Sequence, residues 1–390
     1  MHSQSRSSVA YLTPSFAPYR APVFDALHQR IGNGFTVVCV GRQRQTLNKL
    51  ALRLGSFPRI FVHGAWLNIN GPDEGRKTPL GFHLTPSLPF VLARLHPKVV
   101  ISNNFNLWTL TAQLMGYRTV IFWEGTTHTE RTVQAWRGRL RRWMIRRAGA
   151  FVVNGRLSRA YLEQLGAPPQ AIFEGGMCAF PLPERHKDAG PRVFLRGPVR
   201  FLFVGQLVDR KGVHSLLRAA ALLQATKSCT DRFEIVIVGE GPKRAELLQM
   251  TSELHLEAIV KYVSFVSPAE VWDRYIECHV FVLPTLQDNW PLVVPEAMAM
   301  GLPIVISERA GSVPDLLREG HNGWTFNPER PASLAEILAR YIEHPDLIES
   351  HGLHSVEMVR KYTPENAAEA LLGAVNFARE CPRAVFSAGS

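Results

Sequence analysis

Two carboxylates, Asp288 and Glu296, stand on either side of a short turn between an apolar run and a helix-forming segment. The run 280–283 has the continuous apolar character of a buried strand, and a proline closes it. A helix is expected between 294 and 301, ahead of a second apolar strand at 304–306. Ligands collect at the carboxyl ends of such strands, where helix amides and side chains converge. The spacing therefore indicates a ligand-binding site.

A second candidate site follows an apolar run that begins at Phe201 and ends at Gly205. The loop after this glycine carries two basic side chains, Arg210 and Lys211. Apolar residues then recur at helical spacing over 213–223, so the loop joins a predicted strand to the start of a helix. Taken alone, a loop lysine is most often a solvated side chain.

The segment 234–248 repeats the order of strand, glycine turn and helix. Gly239 and Gly241 lie in its turn, where a missing side chain lets the backbone approach a nucleotide or turn tightly. Because a lone Gly-x-Gly pattern is weak evidence, both interpretations stay open.

Together, these segments resemble the retaining GT-B glycosyltransferases of glycosyltransferase family 4. Glu296 matches the second acidic residue of that family's Glu-x7-Glu motif and begins a Glu-Ala-x-x-x-Gly run. Asp288 stands where the family usually has its first Glu. Lys211 matches the lysine of the family's Val-Gly-Arg-Leu-x-x-x-Lys-Gly element, although Gln206 stands where the family usually has Arg.

The resemblance implies a role for each of these side chains. Asp288 would hold hydroxyls of the donor sugar, Glu296 would hold the ribose hydroxyls, and Lys211 would place a positive charge on the donor diphosphate. Arg210 is the candidate for the charge that Gln206 lacks. The donor-binding positions implied in addition, including the backbone that faces the diphosphate, are Gly205, Gln206, Arg210, Gly239, Gly241, Asn289, Trp290, Leu292 and Val293.

Short apolar strands alternate with helical segments in both halves of the chain. In the second half the strands are expected near 201, 235, 262, 281 and 304, and in the first half at 9–12, 35–40, 99–102, 120–123 and 150–153. This alternation predicts an α/β fold with parallel sheets covered by helices. The resemblance implies the GT-B arrangement: two Rossmann-like domains that face a central cleft, with a C-terminal helix that crosses back to the first domain.

The length of 390 residues exceeds what one hydrophobic core usually supports, so two domains of roughly 180 residues each are expected. The expected joint is 181–191, which is rich in proline and charge. We therefore assign 1–185 to an acceptor-binding domain, 195–362 to a nucleotide-sugar-binding domain and 363–380 to the crossing helix. Thr363 is the expected N-cap of that helix.

Two features of the first half differ from the common family pattern. The glycine-rich first loop is absent; a proline-rich loop carries Tyr19 and Arg20, which are candidate site residues or parts of a rigid connection. Many relatives have a histidine at the end of the strand predicted at 120–123. Here Glu124 takes that position and His128 follows, so either could bond the donor sugar or accept a proton from the acceptor hydroxyl. A structural or solvated His128 is the alternative.

Charge is unevenly distributed along the chain. Residues 1–180 contain 22 Lys and Arg against 7 Asp and Glu, a net of +15, and the rest contain 22 against 26, a net of −4. Much of the excess lies in 131–147, which contains seven arginines. Trp136, Leu140, Trp143 and Met144 are expected to share one face of a helix there.

Such a helix suits an anionic membrane surface and an acceptor carried on a lipid. A helix packed on the core with a solvated basic face is the alternative. No zinc-ligand spacing or RNA-binding signature accompanies the arginines, so nucleic acid is not an expected partner.

The remaining sequence features concern location and cofactors. Five scattered cysteines form no Cys-x-x-Cys pair, which favours reduced thiols in a cytosolic compartment. The start lacks the apolar core of a signal peptide, and no run of about 18 apolar residues could span a bilayer. We expect a cytoplasmic protein, with any membrane contact peripheral on the inner face. No Asp-x-Asp occurs, so no metal cofactor is expected, and Lys211, an arginine and helix amides would neutralise the diphosphate.

The resemblance implies transfer of a sugar from a UDP- or GDP-type donor to the hydroxyl of a glycan or lipid-linked acceptor, with retention of configuration. Polysaccharide, lipopolysaccharide or other glycoconjugate biosynthesis is the expected setting. Two alternatives stay open. One is a catalytically weak scaffold subunit that binds nucleotide sugars, suggested by Gln206 and Asp288. The other is a sugar-nucleotide epimerase of the same fold.

Overall fold

The computed structural model describes residues 8–40, 55–62, 64–68, 81–130, 135–178, 197–226, 229, 232–264 and 268–380. The chain divides into two compact units: unit 1, Met1–Cys178 with Thr363–Ser390, and unit 2, Ala179–Tyr362. The joint that the sequence predicts at 181–191 lies outside the described residues.

Unit 1 is built around a parallel sheet. Its strands and those of a separate hairpin are β1 (Val9–Thr13), β2 (Phe35–Cys39), β3 (Arg59–Phe61), β4 (Ala65–Asn68), β5 (Gly81–Leu84), β6 (Val99–Asn103), β7 (Arg118–Trp123), β8 (Ala150–Val153) and β9 (Ile172–Glu174). Seven of them pair in the order β3-β2-β1-β6-β7-β8-β9, and β4 pairs with β5. Every residue of β1 and β2 is buried, as expected for strands that are covered on both faces.

The helices of unit 1 connect these strands. They are α1 (Ala21–Ile31), α2 (Leu88–Leu95), α3 (Leu107–Leu114), α4 (Ala135–Ile145) and α5 (Arg156–Gln164), with α13 (Pro364–Glu380) from the end of the chain. The last helix packs on α1 and β8, so the chain returns to unit 1 after completing unit 2. The Thr363 hydroxyl accepts a hydrogen bond from the Asn366 amide at 3.2 Å, as its predicted N-cap role requires.

Unit 2 repeats the architecture of a parallel sheet with connecting helices. Its strands are β10 (Val199–Val204), β11 (Phe233–Val238), β12 (Val260–Val263), β13 (Val280–Leu283), β14 (Ile304–Ser307) and β15 (Gly323–Phe326). Its helices are α6 (Val213–Gln224), α7 (Arg244–Glu253), α8 (Pro268–Glu277), α9 (Val293–Ala299), α10 (Val313–Leu316), α11 (Pro331–Glu343) and α12 (Asp346–Val359). The strand order is β12-β11-β10-β13-β14-β15.

The predicted α/β class with parallel sheets is confirmed in both units. The sequence analysis missed β3, β9 and the hairpin of β4 and β5. The first two are edge strands of three residues each, and β3 is only half-buried. Runs this short carry neither a long apolar stretch nor a clear alternation, so periodicity cannot reveal them.

Candidate functional site

The strand order of unit 2 places a loop with a basic side chain beside a loop with an acidic side chain. Strand β10 lies between β11 and β13, so the chain leaves β10 on one side and later returns on the other. Ligands of open α/β sheets bind at the carboxyl ends of strands at such a switch point. The loop after β10 carries Lys211, and the loop after β13 carries Asp288.

Lys211 and Asp288 form a close ion pair at this position. The Lys211 Nζ lies 2.6 Å from Asp288 Oδ2, and the side chains are 10% and 13% exposed. An Arg210 guanidinium nitrogen lies 3.4 Å from the same oxygen, on a side chain that is 44% exposed. The expectation of a solvated loop lysine is therefore wrong for Lys211, and the structure gathers two cations around one carboxylate.

Hydrogen bonds to the backbone join the loop after β10 to the loop after β13. The carbonyl of Arg210 accepts hydrogen bonds from the Leu286 amide at 2.8 Å and from the Thr285 hydroxyl at 2.9 Å. Gly212 has a φ of +68°, and a Cβ there would overlap the carbonyl oxygen of Pro284. Only glycine fits this combination of left-handed backbone and close approach, so the turn that positions Lys211 depends on it.

The other glycines of the site pack loop against loop. A Cβ at Gly239 would overlap the carbonyl oxygen of Gly205, and one at Gly241 would overlap that of Leu207. The Leu207 amide donates to the Glu240 carbonyl at 2.9 Å, which joins the loops after β10 and β11. These contacts explain both glycines as close packing between loops. Nucleotide contact at Gly205, Gln206, Gly239 and Gly241 stays a prediction.

The segment after Asp288 is held in place by neighbouring backbone. The Asp288 carbonyl accepts from the Gly311 amide at 2.8 Å. Trp290 is buried, and its ring packs against Tyr362 with centroids 5.9 Å apart. The side-chain oxygen of Asn289 is buried and has no hydrogen-bond partner among the described residues. Leu292 and Val293 lie half-buried at the start of α9.

Glu296 lies in the first turn of α9, as the sequence predicts. Its Oε2 accepts a hydrogen bond from the Tyr275 hydroxyl at 3.1 Å. Desolvation raises the pKa of Glu296 to about 7, and the bond from Tyr275 partly opposes that rise. Tyr275 comes from α8 and was not among the predicted site residues, because an aromatic residue in an amphipathic helix indicates a core position.

In unit 1, Glu124 follows β7 and forms an ion pair with Arg20. The Arg20 side chain is buried, donates to the Tyr11 hydroxyl at 2.7 Å and lies 4.4 Å from the centroid of the Phe122 ring. Burial raises the pKa of Tyr11 to about 12. Arg20 is therefore a packed structural cation, which supports the rigid-connection interpretation of its loop.

His128 lies half-buried in a turn after β7. The Thr126 amide donates to the Thr129 hydroxyl at 3.0 Å across this turn, and the Glu124 amide donates to Asn104 Oδ1 at 3.4 Å. A direct role of Glu124 or His128 in the reaction stays a prediction.

Two buried asparagines at the same edge of unit 1 escaped the sequence analysis. Asn103 ends β6 and Asn154 follows β8; they are 4% and 2% exposed. Neither side-chain oxygen has a hydrogen-bond partner within the described ranges. An asparagine directly after an apolar run is the signal that could have revealed them, since strand ends at this edge bind ligands.

The described residues contain neither a metal-binding cluster nor a helix that could cross a membrane. Within the described ranges, no group of three or more His, Cys, Asp or Glu side chains is arranged to hold a metal ion. No helix in that part of the chain has the length and apolar character needed to span a bilayer.

Comparison with known proteins identifies the domain that carries the Lys211 site. Residues 188–353 match the model of the family described as glycosyl transferases group 1. The matched range lies within unit 2. The matched range contains Lys211, Asp288 and Glu296.

Among curated relatives, the amylovoran biosynthesis glycosyltransferase AmsK of Erwinia amylovora is 35% identical over 153 residues, 37% of this chain and 36% of that protein. The putative colanic acid biosynthesis glycosyltransferase WcaL of Salmonella typhimurium is 27% identical over 216 residues, 53% of this chain and 51% of that protein. The chain thus spans between a third and about a half of the length of these relatives.

Solved structures match over nearly the whole chain. HepE of Anabaena, solved in complex with UDP and glucose, has a TM-score of 0.70 at 16% identity and covers 94% of this chain and 98% of its own. The apo form of the lipopolysaccharide outer core galactosyltransferase WaaB has a TM-score of 0.69 at 15% identity, with 94% and 99% covered. At this identity the likeness shows the GT-B fold.

Proposed function

We propose that this chain transfers a sugar from a nucleoside diphosphate donor to an acceptor hydroxyl, as a glycosyltransferase of polysaccharide or other glycoconjugate biosynthesis. The observation that carries the proposal is the pair of Lys211 and Asp288, whose Nζ and Oδ2 lie 2.6 Å apart at the carboxyl edge of the family-matched domain. The named functions of AmsK and WcaL support the setting in polysaccharide assembly.

In the proposed reaction, Lys211 stabilises the negative charge that develops on the departing diphosphate. A buried ammonium is effective here because it is preorganised and poorly screened by water. Arg210 reaches the same carboxylate at 3.4 Å and supplies a second positive charge, which offsets the glutamine at 206. Asp288 neutralises both cations before the donor binds. When the diphosphate of the donor takes over that role, Asp288 binds hydroxyls of the donor sugar.

The nucleoside would be held by Glu296 and by the segment that precedes it. A carboxylate accepts hydrogen bonds from both ribose hydroxyls, whereas a protonated carboxyl group is a poorer acceptor. The pKa of Glu296, raised to about 7 by desolvation, therefore links ribose binding to release of a proton. The unpaired oxygen of Asn289 supplies a further acceptor for a donor group of the ligand.

Unit 1 would bind the acceptor, and Glu124 and His128 are its candidate contacts with the reacting hydroxyl. The ion pair with Arg20 commits one oxygen of Glu124, which favours hydrogen bonding to a hydroxyl over removal of its proton. We propose retention of configuration, no metal requirement and a cytoplasmic location, with a UDP-sugar as the first donor to test because HepE was solved with UDP.

The test begins with the melting temperature of the full chain in the presence of UDP, GDP and their sugars. A ligand that binds the folded chain but not the unfolded chain raises the melting temperature, and the rise grows with the logarithm of its concentration above the Kd. The stabilising donor is then incubated with glycan and lipid-linked acceptors, with and without EDTA, and the anomeric configuration of the product is determined by NMR. Transfer with retention in EDTA is the expected result.

Three other outcomes would contradict the proposal. Binding of the donor without transfer to any acceptor supports the scaffold alternative. An altered sugar in donor incubated alone supports the epimerase. An unchanged melting temperature with every nucleotide tested would mean that Lys211 and Glu296 do not form a nucleotide site.

A further inference from the structure

Helix α4 of unit 1 presents an apolar and basic surface that the proposed reaction does not explain. Trp136 is 46% exposed and Leu140 is 37% exposed, one helical turn apart. Trp143 follows on the same side and is half-buried, with the Arg147 guanidinium 4.2 Å from its ring centroid. Residues spaced by three or four positions line one face of a helix.

Other residues of α4 anchor the helix in the core. Met144 and Ile145 are each 1% exposed, and Ile145 belongs to the core cluster of β7 and β8. Arg141 also turns inward, where its guanidinium lies 2.6 Å from Glu130 and 4.9 Å from the centroid of the Trp123 ring. Met144 lies one helical turn after Leu140, as the predicted shared face requires, but it is buried whereas Trp136 and Leu140 are exposed. The packed side is made by other residues, so the exposed tryptophan and leucine are not needed for the core.

Arginines surround the exposed apolar residues. The exposed ones on α4 and directly after it are Arg137, Arg139, Arg142, Arg146 and Arg147, and the stretch 135–147 contains no acidic residue. We call Trp136, Leu140 and Trp143 together with these five arginines the Arg-Trp face. No carboxylate of their own helix neutralises these arginines. The Arg-Trp face therefore complements a negatively charged surface.

The apolar exposure continues onto the neighbouring helix. The side-chain amide of Gln113 donates a hydrogen bond to the Met144 carbonyl at 2.9 Å, so the last turn of α3 contacts the last turn of α4. The two residues after this glutamine, Leu114 and Met115, are 69% and 37% exposed. Leu114 and Met115 therefore add exposed apolar side chains near the last turn of α4, and exposed apolar groups of this kind can mark interaction sites.

We propose that the Arg-Trp face docks on the surface of an anionic lipid bilayer. Arginines contact lipid phosphates, while tryptophan and leucine enter the boundary between headgroups and acyl chains, which is the arrangement of interfacial amphipathic helices. A nucleic acid or soluble polyanion would use the arginines but would leave Trp136 and Leu140 in water. The apolar residues among the cations therefore favour a membrane. This docking is independent of glycosyl transfer and would hold for a chain with no transferase activity.

The test is flotation of the full chain with vesicles of phosphatidylcholine alone or with about 30% phosphatidylglycerol, at physiological salt. Binding to the anionic vesicles alone is expected. The double variant Trp136→Ser and Leu140→Ser should lower the partition coefficient at least about tenfold, because it removes the inserted apolar area. Arg139→Ser with Arg146→Ser should lower it roughly 30-fold, since each arginine near such a surface contributes about fivefold.

Matched controls lie on unit 2. Leu222 and Leu248 are 47% and 43% exposed, so Leu222→Ser with Leu248→Ser removes comparable apolar area outside the face. Arg218→Ser with Arg360→Ser removes two exposed cations. Both controls should bind vesicles as the unchanged chain does. All four double variants alter exposed side chains, and unchanged melting temperatures would show that they fold.

Other results would overturn the inference. Equal binding to neutral and anionic vesicles, or none to either, contradicts an anionic docking surface. Loss of binding in the arginine variant with full binding by the Trp136 and Leu140 variant would indicate a polyanion site instead. Tighter binding to a short DNA duplex than to the vesicles would do the same.

Discussion

Each unit holds a buried cation on a carboxylate, in loops at the carboxyl edge of its sheet. In unit 1 the loop after β1 supplies Arg20 and the residue after β7 is Glu124; in unit 2 the loop after β10 supplies Lys211 and the loop after β13 supplies Asp288. Arg20 and Lys211 are 7% and 8% exposed, so burial alone does not distinguish them.

The surroundings of the two cations differ. Arg20 also donates to Tyr11 and lies over the Phe122 ring, so several groups fix its position. Lys211 sits in a glycine turn, and the contacts seen for its Nζ are with Asp288, whose carboxylate also approaches the half-exposed Arg210.

This difference separates a structural ion pair from one that a ligand can open. Removing Arg20 from Glu124 would strand a guanidinium among aromatic rings, which costs several kcal/mol. Lys211 can exchange one anion for another, because a diphosphate presents the same charge that Asp288 presents. The comparison predicts that substitutions in unit 1 change mainly stability, whereas those in unit 2 change mainly ligand binding and turnover.

The largest effect is expected for Arg20→Met. It leaves Glu124 without its cation and Tyr11 without its donor, and the free energy of unfolding should fall on the order of 3–5 kcal/mol. Urea denaturation of the full chain measures the loss. Adding Glu124→Gln should recover part of it, because the unpaired charge is then gone. A variant as stable as the unchanged chain would mean that Arg20 is not a structural cation.

Lys211→Ala should reduce turnover about 100- to 1000-fold, as expected when a preorganised charge beside the leaving group is lost. Its effect on stability should be smaller than that of Arg20→Met, because Arg210 still faces Asp288 at 3.4 Å. Steady-state kinetics with the identified donor measures the change.

The control for this prediction is Lys261→Ala. Lys261 pairs with Glu234 at 2.6 Å, the same distance as in the Lys211 pair, but on a side chain that is 54% exposed. Turnover should stay near that of the unchanged chain. Equal losses in the two lysine variants would show that the Lys211 pair has no special role.

Glu296 should make the stability of the chain depend on pH. Desolvation raises its pKa from 4.5 to about 7 in the folded state, so the folded chain binds more protons than the unfolded chain between these values. The contribution of Glu296 to stability should therefore fall by about 3 kcal/mol as the pH rises from 4.5 to 7.

Urea denaturation across this pH range, compared between the unchanged chain and Glu296→Gln, measures that contribution. The glutamine variant should lose the dependence and become the more stable of the two above pH 7. Glu336→Gln, the same change at an exposed carboxylate on α11, is the control and should follow the unchanged chain. Parallel curves for all three proteins would rule out a raised pKa at Glu296.

The smallest effect is expected from removing single hydroxyl groups. Tyr275→Phe removes the donor to Glu296, which should weaken nucleotide binding roughly tenfold, since a hydrogen bond to a charged group contributes about 1.5 kcal/mol at the low end of its range. Because this bond lowers the pKa of Glu296, its loss should also move the pH dependence upward. Calorimetric titration with the nucleotide at several pH values measures both.

Tyr11→Phe is the matched change in unit 1. It removes the acceptor for Arg20 at 2.7 Å and should lower stability while nucleotide affinity stays the same. If the Tyr275 variant loses stability but binds nucleotide normally, the hydroxyl of Tyr275 has only a structural role, like that of Tyr11.

Local pattern was enough to predict the strands of unit 2 and the loops that carry three candidate site residues. Runs such as 280–283 are apolar throughout and are bounded by proline or glycine, so their sequence alone indicates buried parallel strands. Lys211, Asp288 and Glu296 each lie directly beyond or between such elements. Since ligand sites form where such loops meet, position along the chain and the family resemblance together made these residues candidates before any contact was known.

Tertiary structure decided the features that depend on contacts between distant segments. Arg20 and Glu124 are 104 positions apart, and the bond from Tyr275 to Glu296 joins two helices. Helix α4 shows the same limit: its sequence indicates an amphipathic helix, but packing of Ile145 against β7 and β8 decides which side is buried and leaves Trp136 exposed. A periodic sequence specifies which residues share a face, but where several faces are partly apolar, packing against the core determines which of them is buried.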